Sequence, residues 1–286
     1  MAKFDINSKA KLASGYEIPL LGFGVYQTPA DIAEDVTDHA IQVGYRHVDS
    51  ATAYRNEQPT VAGMLKAKVP RDQLFFTSKV PARSISYQGA KDAVEESLRK
   101  TGLEYIDLYL LHAPYGGTEG RLGAWQALVE AAAEGKVRSI GVSNYGVHHL
   151  NELEEWQKSQ PKEKAGTLSV NQIELHPWLQ RKDIVEWCKA RNVVLEAYSP
   201  LVRGTRFNDT LLTPLVKKHN KTPAQILLRW GLQQGFVILP KSVTKSRIEG
   251  NKEIFDFELD EDDMNSLDTS EYSPCCWDPA TAPLSQ

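Results

Sequence analysis

The sequence predicts an α/β protein: eight parallel strands, each followed by a helix, closed into a (β/α)8 barrel, with an N-terminal β-hairpin and a C-terminal extra helix and tail. Three observations lead there. Apolar strand-like runs alternate with amphipathic helical stretches along the whole chain. The strand-like runs are continuously apolar, the pattern of a parallel sheet covered on both faces by crossover helices. Several of those runs end on a residue that can handle protons: Asp49, Lys79 and His112, with Tyr54 in the loop after Asp49.

Taken in order, residues 11–19 read as a hairpin turning at Ser14-Gly15. Residues 20–25 form the first strand, and 30–43 a helix stopped by Gly44 at its C′ position. A strand at 46–49 and a helix at 58–66 follow. The third unit is the clearest. After a strand at 74–79, Ala90, Ala93, Val94 and Leu98 share one helix face, with Ser86 as N-cap and Gly102 as the stop. The fourth strand runs to His112, and its helix carries Leu122, Trp125, Leu128, Val129 and Ala132 before Gly135. Strands at 137–143, 168–174, 193–198 and 236–240 alternate with helices near 147–158, 183–190, 210–219 and 223–234. Thr222-Pro223 is a cap followed by proline at the first helical position. A last helix at 260–267 precedes an irregular tail. With no linker or low-complexity stretch, residues 1–286 are expected to form a single domain.

The bulk properties narrow the function. The 286 residues are 41% hydrophobic and 24% charged, ordinary for a globular chain. A net charge of -4 argues against a nucleic-acid partner, since a phosphate backbone needs a basic face. No run is long enough for a membrane span, and the polar N-terminus is not a signal peptide. The three cysteines, Cys188, Cys275 and Cys276, have neither CxxC nor zinc-finger spacing, so no metal is expected and the usage fits a reducing, cytoplasmic compartment.

In such a barrel the chemistry lies at the C-terminal ends of the strands. Asp49, Tyr54, Lys79 and His112 all fall there, and parallel neighbouring strands would bring a carboxylate, a phenol, an amine and an imidazole together. Singly, each has a plainer explanation: a turn cap, an interface aromatic, a solvated strand end, a core histidine. Jointly, in this order, they describe a proton-delivery site.

Those residues sit in motifs. His47-Val48-Asp49-Ser50-Ala51 with Tyr54, Thr77-Ser78-Lys79, Leu110-Leu111-His112, Gly141-Val142-Ser143-Asn144-Tyr145, Asn171-Gln172-Ile173-Glu174 and residues 238–244 together resemble the aldo-keto reductases, from about residue 18 to about residue 268. The resemblance implies a TIM barrel and reversible hydride transfer between NADPH and a small-molecule aldehyde or ketone. It makes Tyr54 the general acid, Lys79 and Asp49 its partners, and His112 the group that orients the carbonyl. Physically, a Lys79 ammonium would lower the phenol's pKa, and His112 would donate to the substrate oxygen.

The Rossmann GxGxxG fingerprint is absent, as the resemblance implies. Ser143, Asn144 and Gln172 carry hydroxyl and amide groups suited to the nicotinamide carboxamide, and Tyr198 would stack on the ring, with Ser199 and Leu201 beside it. Lys241, Ser242, Val243, Thr244 and Arg247 would hold phosphate, including a 2′-phosphate that favours NADPH over NADH. Asn251 matches an adenine contact, whereas Gly250 stands where the family usually has glutamate. Tyr26, Pro81 and Ala113 stand where many members have tryptophan, which implies a wider substrate mouth. Trp277 in the tail would either reach over the mouth and replace some of that aromatic surface or pack on the barrel wall. The alternatives are a non-catalytic NADPH-binding regulatory subunit and a structural use of the same barrel. A monomer is favoured over an oligomer.

Overall fold

The computed structural model describes residues 4–286. Strands β1 (Lys9–Lys11) and β2 (Glu17–Pro19) pair antiparallel, with Ala10 opposite Ile18. Gly15 takes φ 96° in the turn, a conformation that suits glycine. The hairpin buries Leu12 and Ile18 and places Ser14 Oγ 2.7 Å from Ser139 Oγ, so it covers the N-terminal end of the barrel.

The barrel consists of β3 (Gly22–Gly24), β4 (His47–Asp49), β5 (Phe75–Val80), β6 (Ile106–Leu111), β7 (Val137–Ser143), β8 (Leu168–Glu174), β9 (Val194–Tyr198) and β10 (Val237–Leu239). These eight strands follow one another in sequence order around one sheet, every adjacent pair parallel. The ring closes through parallel bridges from Leu21 to Ile238 and from Gly24 to Lys241. Ile238 N–H donates to Leu20 O at 2.8 Å and Gly24 N–H to Pro240 O at 3.0 Å. Every residue of β5, β6 and β8 is buried. A strand covered on both faces has no solvent side to mark with polar alternation, which is why these runs read as continuous apolar stretches.

Helices α1 (Ala30–Gln42), α2 (Glu57–Lys66), α3 (Tyr87–Thr101), α4 (Gly117–Ala133), α5 (Val147–Ser159), α6 (Lys162–Ala165), α7 (Lys182–Lys189), α8 (Leu212–His219), α9 (Pro223–Gln233), α10 (Lys245–Lys252) and α11 (Glu261–Ser266) wrap the ring. The expected caps form. Ser86 Oγ accepts from Gly89 N–H, and Gly102 ends α3 at φ 68°. Thr222 and Gln225 make a reciprocal capping box at the start of α9. Three features differ from the sequence reading. Helix α4 begins at Gly117, ahead of Leu122, the first apolar residue by which the sequence marks it. Helix α10 follows β10, where the sequence reading named no helix before residue 260. The four-residue α6 was not anticipated, because a single turn has no periodicity to detect.

Gly63 lies inside α2, where α1 crosses it. A Cβ there would sit 2.2 Å from Glu34 O and 3.0 Å from Asp38 N, both backbone atoms of α1. Replacing a helical glycine by alanine ordinarily stabilises by about 1 kcal/mol. Here the clash is with backbone that cannot rotate away, so the sign reverses. Gly63→Ala is expected to lose ~1–3 kcal/mol in urea denaturation; a gain would mean that the two helices slide apart freely.

Candidate active site

The C-terminal ends of β4, β5 and β6 bring the proton-handling residues together. Lys79 is fully buried in β5, and its Nζ donates to both carboxylate oxygens of Asp49, each at 2.8 Å, and to Ser50 O at 2.7 Å. Tyr54 closes a 3-10 turn (Thr52–Tyr54) after β4 and lays its ring over that pair, 5.1 Å from Lys79 Nζ to the ring centroid. His112 follows β6 directly, its ring 5.7 Å from that of Tyr54. The Tyr54 hydroxyl and both ring nitrogens of His112 make no hydrogen bond to the described residues, while the side chains of Lys79, Asp49, Gln172 and Asn144 near them are tied down.

The supporting bonds explain that rigidity. Gln172 Nε2 donates to Asp49 Oδ2 at 2.8 Å and to Glu196 Oε2 at 3.1 Å, so β4, β8 and β9 share one buried polar layer. Asn144 Nδ2 donates to His112 O at 2.9 Å and fixes the backbone that carries the imidazole. Asn144 holds φ 62°, a left-handed conformation that asparagine tolerates better than most residues. Tyr198 OH donates to Asn144 Oδ1 at 2.7 Å, and Ser143 Oγ to Gln172 O at 2.9 Å. The four residues matched to the nicotinamide are thus joined to each other and to the proton site.

The electrostatics differ in one respect from the sequence expectation. The Tyr54 phenol is held well above its ordinary pKa, first by burial and then by the Asp49 carboxylate, rather than lowered by Lys79. The reason is visible in the geometry: the ammonium is already matched by a carboxylate and a carbonyl. The phenol therefore keeps its proton. The His112 imidazole is pushed down to about 3, mainly by burial and then by Lys79, so it is neutral.

A second group of assigned residues follows β10. Lys241 is half-buried, and burial holds its ammonium below the ordinary value. Ser242 Oγ accepts from Thr244 N–H at 3.1 Å just before α10, and Arg247 is exposed in the first turn of that helix with no ion pair among the described residues. A helix N-terminus with a half-buried lysine and an unpaired arginine is a fitting seat for phosphate. Val243 is exposed, and Asn251 is buried at the far end of α10. Ser199 and Leu201 begin the loop after β9, where Ser199, Val202 and Arg203 all have positive φ. Positive φ at a β-branched residue such as Val202 is strained.

Around the mouth, the Tyr26 ring lies 5.0 Å from Tyr54, and the half-exposed Trp277 ring lies 6.3 Å from His112. Pro81 is half-buried at the head of a 3-10 turn (Ala82–Ser84). Ala113 is fully buried and presents no surface to the mouth. Sequence reasoning missed Tyr115, whose hydroxyl accepts from Trp277 Nε1 at 2.8 Å and whose ring stands 5.7 Å from the indole. The tail that carries Trp277 is anchored along its length. Arg181 Nη2 donates to Asp278 Oδ1 at 2.7 Å, Arg121 Nη2 to Leu284 O at 2.8 Å, and Gly117 N–H to Gln286 O at 2.7 Å. Also missed was a buried network in which Ser78 and Ser97 both donate to Glu57 Oε1, at 2.6 and 2.7 Å. A glutamate in the first turn of a helix reads from sequence as a solvated charge. A cleft of about 470 Å³ lined by Lys9, Tyr16, Asp72 and Arg138 lies at the hairpin end of the barrel, away from this convergence.

The profile of the aldo/keto reductase family matches residues 20–271. The chain belongs to this family. Glyoxal reductase of Bacillus subtilis is 40% identical over 265 residues, covering 92% of this chain and 93% of the relative. Methylglyoxal reductase DkgA of Escherichia coli K12 is 38% identical over 259 residues, covering 90% and 91%. Among solved structures, an aldo/keto reductase from Brucella melitensis superposes with a TM-score of 0.84 at 36% identity, covering 91% of this chain and 98% of that one. This aldo-keto reductase is therefore an oxidoreductase of carbonyl compounds, from a family that uses a nicotinamide cofactor. Among the described residues no helix is long and apolar enough to cross a membrane.

Proposed function

We propose that this aldo-keto reductase reduces small aldehydes and 1,2-dicarbonyl compounds to alcohols with NADPH, Tyr54 giving the proton. The observation that carries the proposal is the unpartnered Tyr54 hydroxyl facing an unpartnered, neutral His112 above the buried Lys79–Asp49 pair. NADPH, when bound, supplies the hydride. His112 donates a hydrogen bond to the carbonyl oxygen and sets its direction. Tyr54 holds its proton until negative charge develops on that oxygen, and then delivers it. Lys79 and Asp49 fix the phenol from below. The relatives named for glyoxal and methylglyoxal reduction support the substrate class. So does the rim of Tyr26, Tyr115 and Trp277, which narrows the mouth despite the missing tryptophans at 26, 81 and 113. The same reading makes the chain a cytoplasmic monomer acting on a small molecule, without nucleic-acid partners.

Ser143, Asn144, Gln172 and Tyr198 would hold the nicotinamide end, with Ser199 and Leu201 along its path. Lys241, Ser242, Val243, Thr244, Arg247 and Asn251 would hold the adenosine phosphate end. Arg247→Ala is expected to raise KM for NADPH by roughly 10-fold or more and to leave KM for NADH nearly unchanged, because a charged contact to the 2′-phosphate exists only with NADPH. An equal rise for both cofactors would remove the phosphate role.

The pH dependence has a definite sign. With the imidazole pushed down to about 3 and the phenol raised, both groups stay in their working forms from about pH 5 to 8. The kcat/KM profile for glyoxal at saturating NADPH should show no imidazole ionisation in that range. A limb near neutral pH that vanishes in His112→Gln would show that His112 titrates freely.

A further inference from the structure

A second cluster of chemistry-bearing side chains lies beside the mouth and takes no part in proton delivery. Glu174 ends β8, His176 lies just beyond it, and both are fully buried. Cys275 and Cys276 come to them from the tail. His176 Nε2 lies 2.8 Å from Glu174 Oε1, and the backbone N–H groups of Cys275 and Cys276 donate to the same carboxylate at 2.7 and 3.3 Å. One ligand atom each from Glu174, His176 and Cys275 lies within 4.8 Å of the others. The two sulfurs are 3.8 Å apart, and Cys276 Sγ lies 3.2 Å from Ser199 Oγ.

At 3.8 Å the two sulfurs are in thiol contact, not in a disulfide, which needs about 2.05 Å. Two thiolates on one tetrahedral zinc, each at about 2.3 Å, also stand about 3.8 Å apart. Cys276 lies outside the group of ligand atoms within 4.8 Å, so its sulfur would turn from Ser199 toward Glu174 and His176 to complete four ligands. A nitrogen and an oxygen on the same ion, each at about 2.0 Å, would stand about 3.3 Å apart, so His176 and Glu174 would open by roughly half an ångström. We propose that Glu174, His176, Cys275 and Cys276 form a tetrahedral site for a thiophilic divalent cation, zinc foremost, which fastens the tail to the end of β8. Sulfur ligands exclude calcium and magnesium. Binding releases both thiol protons to solvent, and the imidazole takes the tautomer with its proton on Nδ1. Cys276 gives up Ser199, and Trp277, the next residue, is held over His112. The spacing of the cysteines alone cannot show such a site, because two of its four ligands come from a strand end far back in the chain.

Cobalt titration of the reduced, metal-free chain tests this without any turnover, so its result is separate from the reductase proposal. The expected result is one cobalt per chain, with the visible bands of tetrahedral cobalt and a near-ultraviolet thiolate charge-transfer band, displaced by zinc. Cys275→Ser and Cys276→Ser should each weaken zinc binding at least 10-fold and diminish the thiolate band, while Cys188→Ala, at the buried third cysteine, should change neither. Circular dichroism identifies any variant that fails to fold. Absence of the tetrahedral thiolate spectrum in the parent chain, or zinc affinity unchanged in both folded tail variants, would overturn the site.

Discussion

Tyr54→Phe will bind NADPH as the parent chain does and reduce glyoxal with a kcat about 10²–10⁴-fold lower, the span by which a positioned general acid accelerates a reaction. The substitution removes one oxygen and little else. That hydroxyl makes no hydrogen bond to the described residues, so no buried partner is orphaned, and the ring keeps its place over Lys79 and beside Tyr26 and His112. Stability should stay within about 0.5 kcal/mol of the parent. The loss should fall on kcat rather than on KM for NADPH, since the residues matched to the cofactor make no hydrogen bond to the hydroxyl. The measurement is NADPH oxidation at saturating cofactor, with cofactor binding followed separately by fluorescence. Turnover within a few-fold of the parent would remove Tyr54 as the proton donor and point to His112 or a water in its place.

Lys79→Met will cost more in stability. It leaves the Asp49 carboxylate buried beside Gln172 with no countercharge, and breaking a buried pair from one side costs ~3–5 kcal/mol. Turnover should fall as well, though inactivity alone would not separate a catalytic role from a structural one. The double variant Asp49→Asn/Lys79→Met makes the separation. With both charges gone, most of the lost stability should return, because neutral groups of similar volume carry no comparable desolvation penalty. Turnover should remain low, because the phenol has lost the cation beneath it. If the double variant is both stable and active, the pair only holds β4 to β5. Chemical denaturation and NADPH-oxidation rates on the same three proteins decide between these.

Much of the barrel was legible because its determinants are local. Ser86 and Gly102 bound one helix, Thr222-Pro223 starts another, and buried parallel strands announce themselves as unbroken apolar runs. Strand order needed no long-range information, since neighbours in sequence are neighbours in the ring. The convergence of Asp49, Lys79 and His112 was legible for the same reason: they lie at the C-terminal ends of consecutive strands. What escaped depends on contacts between distant segments. Glu57 lies in a helix yet accepts from Ser78 on a strand, Glu196 meets Asp49 through Gln172, and Tyr115 finds Trp277 in the tail. The direction of the Tyr54 shift was misjudged because it is set first by burial of the phenol and then by the Asp49 carboxylate, and residue types do not convey how deeply a loop tyrosine is buried.

The ring's closure by its two terminal strands has a consequence for biosynthesis. Asp49, Tyr54, Lys79 and His112 lie on or just after three adjacent strands and leave the ribosome early, whereas Lys241 to Arg247 leave near the end. A domain generally folds as a unit, and synthesis delivers its N-terminal residues first. The nascent chain thus carries the carboxylate, phenol, amine and imidazole long before β10 can seat against β3 through Gly24 and Pro240. Until that seam forms, an exposed strand edge is open to pairing with another chain, and the residues proposed to grip the phosphates have no fixed position. Competence arrives in a single late step, with the last strand.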